Sequence, residues 1–159
     1  MSQTIKPAAI RKSFTVRASR EKAFEVFTKG LDKWWPRTHS IGDSPLKEAV
    51  LEPGVGGRWF GRLEDGREQM WGDVLVWDPP GHLVIAWRIS HEWGFDPNLL
   101  TEVDVTFTET GAGETHIDFE HRNLERFGEQ AEATRTALDS PNAWSDGLAR
   151  FAAAAAKAD

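Results

Sequence analysis

Proton-transfer chemistry near neutral pH needs a group such as histidine, and the chain offers five histidines and no cysteine in 159 residues. Without cysteine there is no thiolate nucleophile, disulfide framework or cysteine metal site, which fits a reducing, cytoplasmic location. His116 and His121, in "ETHIDFEHR", are an odd number of residues apart, so on a strand they face opposite ways. No H-E-x-x-H spacing occurs, and no metal site is expected. No serine sits in a G-x-S-x-G elbow, and no two carboxylates share an apolar face, which argues against a hydrolase or glycosidase. The glycines of "PGVGGRW" precede a strand and not a helix, so they read as a turn and not as a phosphate cradle. No cofactor is expected. That leaves His121. It shares strand parity with Ile117 and Phe119 and should face the interior, while Asp118, Glu120 and Arg122 face outward. Its plainest role is a rim histidine bonded to a carbonyl or water. Its sharper roles are a polar anchor for a ligand or a general acid/base.

The second unusual chemistry is aromatic. There are eight Trp and nine Phe but no Tyr. These rings either fill a core or wall a cavity; the lack of Tyr, the ring that also meets water, favours apolar walls. Trp34 and Trp35 pose the question most sharply, because neighbours on a helix point about 100° apart. One ring should enter the core. Trp35, next to the break at Pro36, is the candidate to cap a cavity mouth with the loop 37–42.

The elements that must position these groups are legible from period and punctuation. "IRKSFTVRA" alternates as a strand. Ser19 caps the helix "REKAFEVFT", Gly30 ends it, and "LDKWW" is a second short helix. Strands follow at "LKEAVLE", "GRWFGRLE", "REQMWGDVLVWD", "HLVIAWRIS", "TEVDVTFTET" and "ETHIDFEHR", with hairpin signals at Asp65-Gly66 and Gly111-Ala112-Gly113. On "REQMWGDVLVWD", strict alternation puts Met70, Gly72, Val74 and Val76 inside, with Gly72 leaving room for a neighbour or ligand. It leaves Trp71 and Trp77 outside, a candidate homodimer surface. On the next strand Leu83, Ile85, Trp87 and Ile89 face in and Arg88 out. "LERFGEQAEATRTALD" is polar and loosely helical. A last helix starts at Ser140 and Pro141, with Trp144, Leu148, Phe151 and Ala155 on one stripe. The whole reads as one α+β domain, 1–159. About six to seven antiparallel strands curve around a long C-terminal helix, with two short helices after the first strand. A sheet wrapped round one helix leaves space for a pocket. Its candidate ligand-binding residues are Trp35, Trp59, Trp87, Phe107, Phe119, His121, Trp144, Leu148 and Phe151.

Net charge is −6, which argues against a nucleic-acid partner. The N-terminal "MSQTIKPAAIRKSF" lacks the apolar run of a signal peptide, and no stretch approaches the ~18 apolar residues that span a bilayer.

"DKWWPRTHSIG", "PGVGGRW", "WGDVLVWDPPGHLVIAW" and "IDFEHRNLERFG", in this order and before a late helix, resemble the START-like (SRPBCC) superfamily. Within it they look like the branch similar to the C-terminal domain of the activator of heat-shock protein 90 ATPase. The resemblance covers about residues 8–156. It implies a helix-grip fold with a cavity between sheet and C-terminal helix. It implies an apolar or amphipathic small-molecule ligand, a polyketide-type cyclisation, or contact with a chaperone. The co-chaperone carries a further N-terminal domain with no counterpart here, which weighs against chaperone activation. The first expectation is therefore a ligand-binding module.

Overall fold

In the computed structural model, residues 8–35, 45–92, 94–140 and 143–157 are described. The chain runs β1 (Ile10–Val16), α1 (Arg20–Thr28), α2 (Leu31–Trp34), β2 (Leu46–Leu51), β3 (Arg58–Leu63), β4 (Glu68–Asp78), β5 (His82–Trp87), β6 (Thr101–Gly111) and β7 (Glu114–Arg122). A 3-10 turn at Leu124–Gln130, α3 (Ala131–Leu138) and α4 (Trp144–Lys157) complete it. All seven strands pair antiparallel in one sheet of order β1-β7-β6-β5-β4-β3-β2. The sheet curls around α4: a helix-grip fold.

Local chemistry sets the helices. Ser19 Oγ accepts a hydrogen bond from Lys22 N at 3.2 Å and starts α1. At Gly30, between α1 and α2, a Cβ would sit 2.9 Å from Val26 O, so only glycine fits this corner. Trp34 Nε1 then donates to that same carbonyl at 3.0 Å, fixing α2 on α1. The expected start of the last helix falls partly outside the described residues, as Pro141 does. Ser140 Oγ donates to Ala137 O at 2.8 Å, so its hydroxyl closes α3.

Register shifts interrupt alternation between Leu46 and Glu48 in β2, between Glu109 and Gly111 in β6 and, with most consequence for the interior, twice on β4. Opposed to β3, Trp59 pairs with Gly72 but Phe60 pairs with Met70, so Trp71 is an extra residue. Opposed to β5, Val74 pairs with Ile85 but Val76 pairs with Val84, so Leu75 is another. Each extra residue is a β-bulge, and each reverses the parity beyond it. This corrects the sequence reading. Gly72 and Val74 stay inside, but Met70 goes to the outer face with Phe60, and Val76 goes there with Val84. Trp71 turns inward and is buried. Trp77 shares the inner face with Leu83, and its ring meets Phe24 edge-on at 5.1 Å. The homodimer surface expected at Trp71 and Trp77 is therefore not formed. The room at Gly72 is taken by a neighbour, since a Cβ there would overlap the Ala86 carbonyl oxygen.

The outer face is ionic. Arg122 pairs with Glu102 and Asp104 at 2.7 Å and with Glu120 at 3.2 Å. Arg11 reaches Glu120 at 3.0 Å, and His82 Nε2 lies 2.9 Å from Asp104 Oδ1. His116 points outward, 3.3 Å from Asp118, and His121 points inward. Among the described residues no group of three side chains is placed to hold a metal ion. No described helix is long and apolar enough to cross a membrane.

Candidate functional site

The inner face of the sheet and the buried stripe of α4 meet in one aromatic interior. The nine sequence candidates, Trp35, Trp59, Trp87, Phe107, Phe119, His121, Trp144, Leu148 and Phe151, are all buried there. The structure adds Trp34, Trp71 and Thr101. Trp34 was legible only as one of a pair. Trp71 was hidden by the bulge. Thr101, first residue of a strand, carried no signal at all.

Trp34 and Trp35 are both buried, at 2% and 7% exposure. The loop 37–42, with which Trp35 was expected to cap a cavity mouth, lies outside the described residues. Trp34 meets Phe27 and Phe151 at 5.1 and 5.6 Å. Trp35 points the other way and finds a second surface. Its ring stacks on Trp71 (5.2 Å, 27°) and touches Trp59 and Trp144 edge-on at 5.6 and 6.1 Å. Trp59 meets Trp71 and Trp87 at 5.4 and 5.5 Å, and Trp87 meets Trp144 at 5.4 Å. Gly61 makes this possible, because a Cβ there would lie 2.6 Å from Trp71 Cζ2. The space expected to be a cavity between sheet and α4 is thus occupied by rings at the described residues.

His121 is held at the centre of a directed chain. Trp144 Nε1 can only donate, and it lies 3.2 Å from His121 Nδ1. Nδ1 is therefore the acceptor, and Nε2 carries the proton. Nε2–H donates to Thr101 Oγ1 at 2.9 Å, and Thr101 donates to the Trp87 carbonyl at 2.9 Å. Every member is satisfied. Burial pushes the His121 pKa down to about 3, because a charged imidazolium here would lose its hydration with no anion beside it. Neither ring nitrogen is left for a ligand, and at neutral pH the ring is a poor base. The arrangement positions Trp144 and Thr101; it does not resemble an acid/base poised near pH 7.

Open space lies beside this interior. A groove of about 620 Å³ runs between α1–α2 and α4, lined by Val26, Asp32, Lys33, Trp34, Trp35, Arg150, Ala153, Ala154 and Lys157. Ala153 and Ala154 keep the α4 wall low. Lys33, Arg150 and Lys157 put cationic groups on the rim, with Arg150 held by Asp146 at 2.9 Å. Asp32 Oδ1 accepts from Ala49 N at 2.9 Å, tying the floor to β2. Trp35 lines the groove and also packs in the ring cluster, so it is the wall common to both.

Comparison with solved structures finds an anthrahydroquino-gamma-pyrone synthase that is 38% identical, matched over 93% of this chain and 97% of that one, with a TM-score of 0.66. The self-sacrificing resistance protein CalC from Micromonospora echinospora is 32% identical, over 92% and 93%, with a TM-score of 0.70. A search among curated proteins returns no match. The family model described as "Activator of Hsp90 ATPase homolog 1-like protein" matches residues 17–155. With the helix-grip fold and nearly the whole chain matched, this protein belongs to the activator of Hsp90 ATPase homolog 1-like family, a branch of the START-like superfamily.

Proposed function

We propose that the protein is a binding module for a flat, largely apolar aromatic small molecule, held where the groove between α1–α2 and α4 meets the indole cluster. One observation carries this reading: six indoles, Trp34, Trp35, Trp59, Trp71, Trp87 and Trp144, form a continuous network of ring contacts, and two of them line open space. Indole faces are the natural surface for a planar π-system, in offset or edge-on contact. Ala153 and Ala154 leave a slot that suits a thin ligand. Lys33, Arg150 and Lys157 suit an anionic substituent at its outer end.

The relatives support the same class. One is named as a synthase of a polycyclic aromatic pyrone, the other as a resistance protein. The synthase also favours a second reading, turnover of such a molecule by ring closure. His121 does not serve that reading, since both its nitrogens are engaged. Binding is therefore the primary proposal. A third reading, contact with a chaperone, draws on the family description alone.

Intrinsic tryptophan fluorescence and native mass spectrometry test it. Flat polycyclic aromatics should quench the fluorescence saturably at one per chain, and aliphatic compounds of equal size should not. Stimulation of the chaperone's ATPase by the chain, with no uptake of any flat aromatic, would replace the binding reading with the third.

A further inference from the structure

The indoles of the interior fall into two groups by their N–H. Trp34, Trp87 and Trp144 each donate to an acceptor at 3.0 to 3.2 Å: Val26 O, Ile89 O and His121 Nδ1. Trp35, Trp59 and Trp71 each bury Nε1 with no acceptor among the described residues. The three unpartnered donors are not scattered. Their rings touch one another pairwise, with centroids 5.2 to 5.6 Å apart. Leaving a buried donor unpaired is costly, and native interiors rarely do it. Three in one contact group, beside three that are fully satisfied, form a locus with surplus donors.

We propose that Trp35, Trp59 and Trp71 are a hydrogen-bonding site for the acceptor oxygens of the bound ligand, and that the ligand is a flat aromatic carbonyl compound of quinone, pyrone or aryl-ketone type. This rests on the planar-ligand reading above and adds the functional group. Indole N–H donates and never accepts, so an ammonium gains nothing here, and a hydroxyl can accept but leaves its own proton without a partner among the three rings. A carboxylate buried among rings would lose its hydration without a cation beside it. A neutral carbonyl supplies two lone pairs and little desolvation cost. Trp35 is the route in. It lines the groove, whereas Trp59 and Trp71 are at 1% exposure. A ligand entering from the groove meets Trp35 first, and engaging Trp59 and Trp71 requires the Trp35 ring to swing aside.

The test uses the full chain and two probes of near-equal shape and charge, anthraquinone-2-sulfonate and anthracene-2-sulfonate, which differ by two carbonyls. Calorimetry should show the quinone binding at least about tenfold more tightly, the effect of one to two hydrogen bonds. The advantage should shrink to about threefold or less in Trp59→Phe and Trp71→Phe, which keep a ring and remove the donor. Indole N–H resonances of Trp35, Trp59 and Trp71 should shift downfield with the quinone and not with the hydrocarbon. If either variant fails to fold, the wild-type probe pair and these resonances decide. Equal affinity for the two probes, or unmoved indole signals on quinone binding, overturns the donor site while the planar-ligand reading stands. Binding of neither probe overturns both.

Discussion

The aromatic interior has two ends built from different rings. Under α1 it is phenylalanine: Phe24, Phe27, Phe107 and Phe151 meet at 5.1 to 5.9 Å, mostly edge to face. Between α2, β3, β4 and the start of α4 it is tryptophan. Both ends are buried, and both are built on inner-face strand positions and a helix stripe. They differ in polarity. The phenylalanine end has nothing to satisfy, so its packing is its whole contribution. The tryptophan end carries an N–H on every ring, and the fold answers some and leaves others. A stretch that needed only volume would use Phe or Leu there at no desolvation cost. On the proposed function, the contrast separates the part of the interior that holds the fold from the part that would recognise a ligand.

The largest effect that sharpens this contrast is at the phenylalanine end. Phe151 is at 0% exposure and meets Phe14, Phe27 and Trp34. Phe151→Ala should lower stability by about 3–5 kcal/mol in denaturant melts, the transfer loss plus the cavity left in a close-packed site. It should leave affinity for a flat aromatic probe within about twofold once the folded fraction is accounted for. A cost near 1 kcal/mol would mean that this end is loosely filled as well, and the two ends would no longer differ.

The next effect is on acid stability and concerns the boundary, where His121 links β7 to Trp144. The His121 pKa is about 3 when folded, and an unfolded histidine titrates near 6.5. Between those values the unfolded chain binds the extra proton, so stability rises with pH and is lost as pH falls from about 6.5 toward 3. From pH 7 to 5 the loss from this residue should be about 2 kcal/mol. His121→Gln removes the titrating group and retains one acceptor and one donor. Urea melts at pH 7 and pH 5 should show a pH difference smaller in the variant by about that amount. Identical pH differences would mean that His121 is not neutral and enclosed as described.

How far the two ends were legible in the sequence depends on period. Alternation found the inner faces of β5 and β7, and 3.6-residue spacing found the α4 stripe, so Trp87, Phe119, His121, Trp144, Leu148 and Phe151 were placed from pattern alone. Ser19 and Gly30 gave α1 its limits by cap and corner chemistry. β4 failed because a bulge adds one residue to one strand and leaves no mark in that strand's own sequence. The cause of the inward turn of Trp71 lies in its pairing with β3 and in the missing side chain of Gly61, which are long-range facts. The engaged state of His121 was equally hidden: its facing was readable, but its partners, Thr101 and Trp144, come from a different strand and a helix 20 or more residues away. Pattern places a side chain on a face; it does not say which polar atoms meet there.

The smallest effect probes the tryptophan end directly, and its sign is informative. Trp→Phe at a satisfied indole removes ring volume and a hydrogen bond, and it orphans the acceptor. At an unsatisfied indole it removes volume but also removes a buried donor that was costing stability. The two terms oppose each other. Trp87 donates to Ile89 O at 3.1 Å, and Trp59 donates to no acceptor among the described residues, yet both are inner-face rings at 5% exposure or less, in contact with each other at 5.5 Å. Trp87→Phe should therefore cost more than Trp59→Phe by about 1–3 kcal/mol, with the Trp59 change itself within about 1 kcal/mol of neutral. Thermal and urea melts of the two single variants, at one pH and without ligand, give the difference. Equal losses would show that the Nε1 of Trp59 is paired in solution, by water or by a shift of its ring. The tryptophan end would then be as fully satisfied as the phenylalanine end, and nothing in it would distinguish a recognition surface from a core.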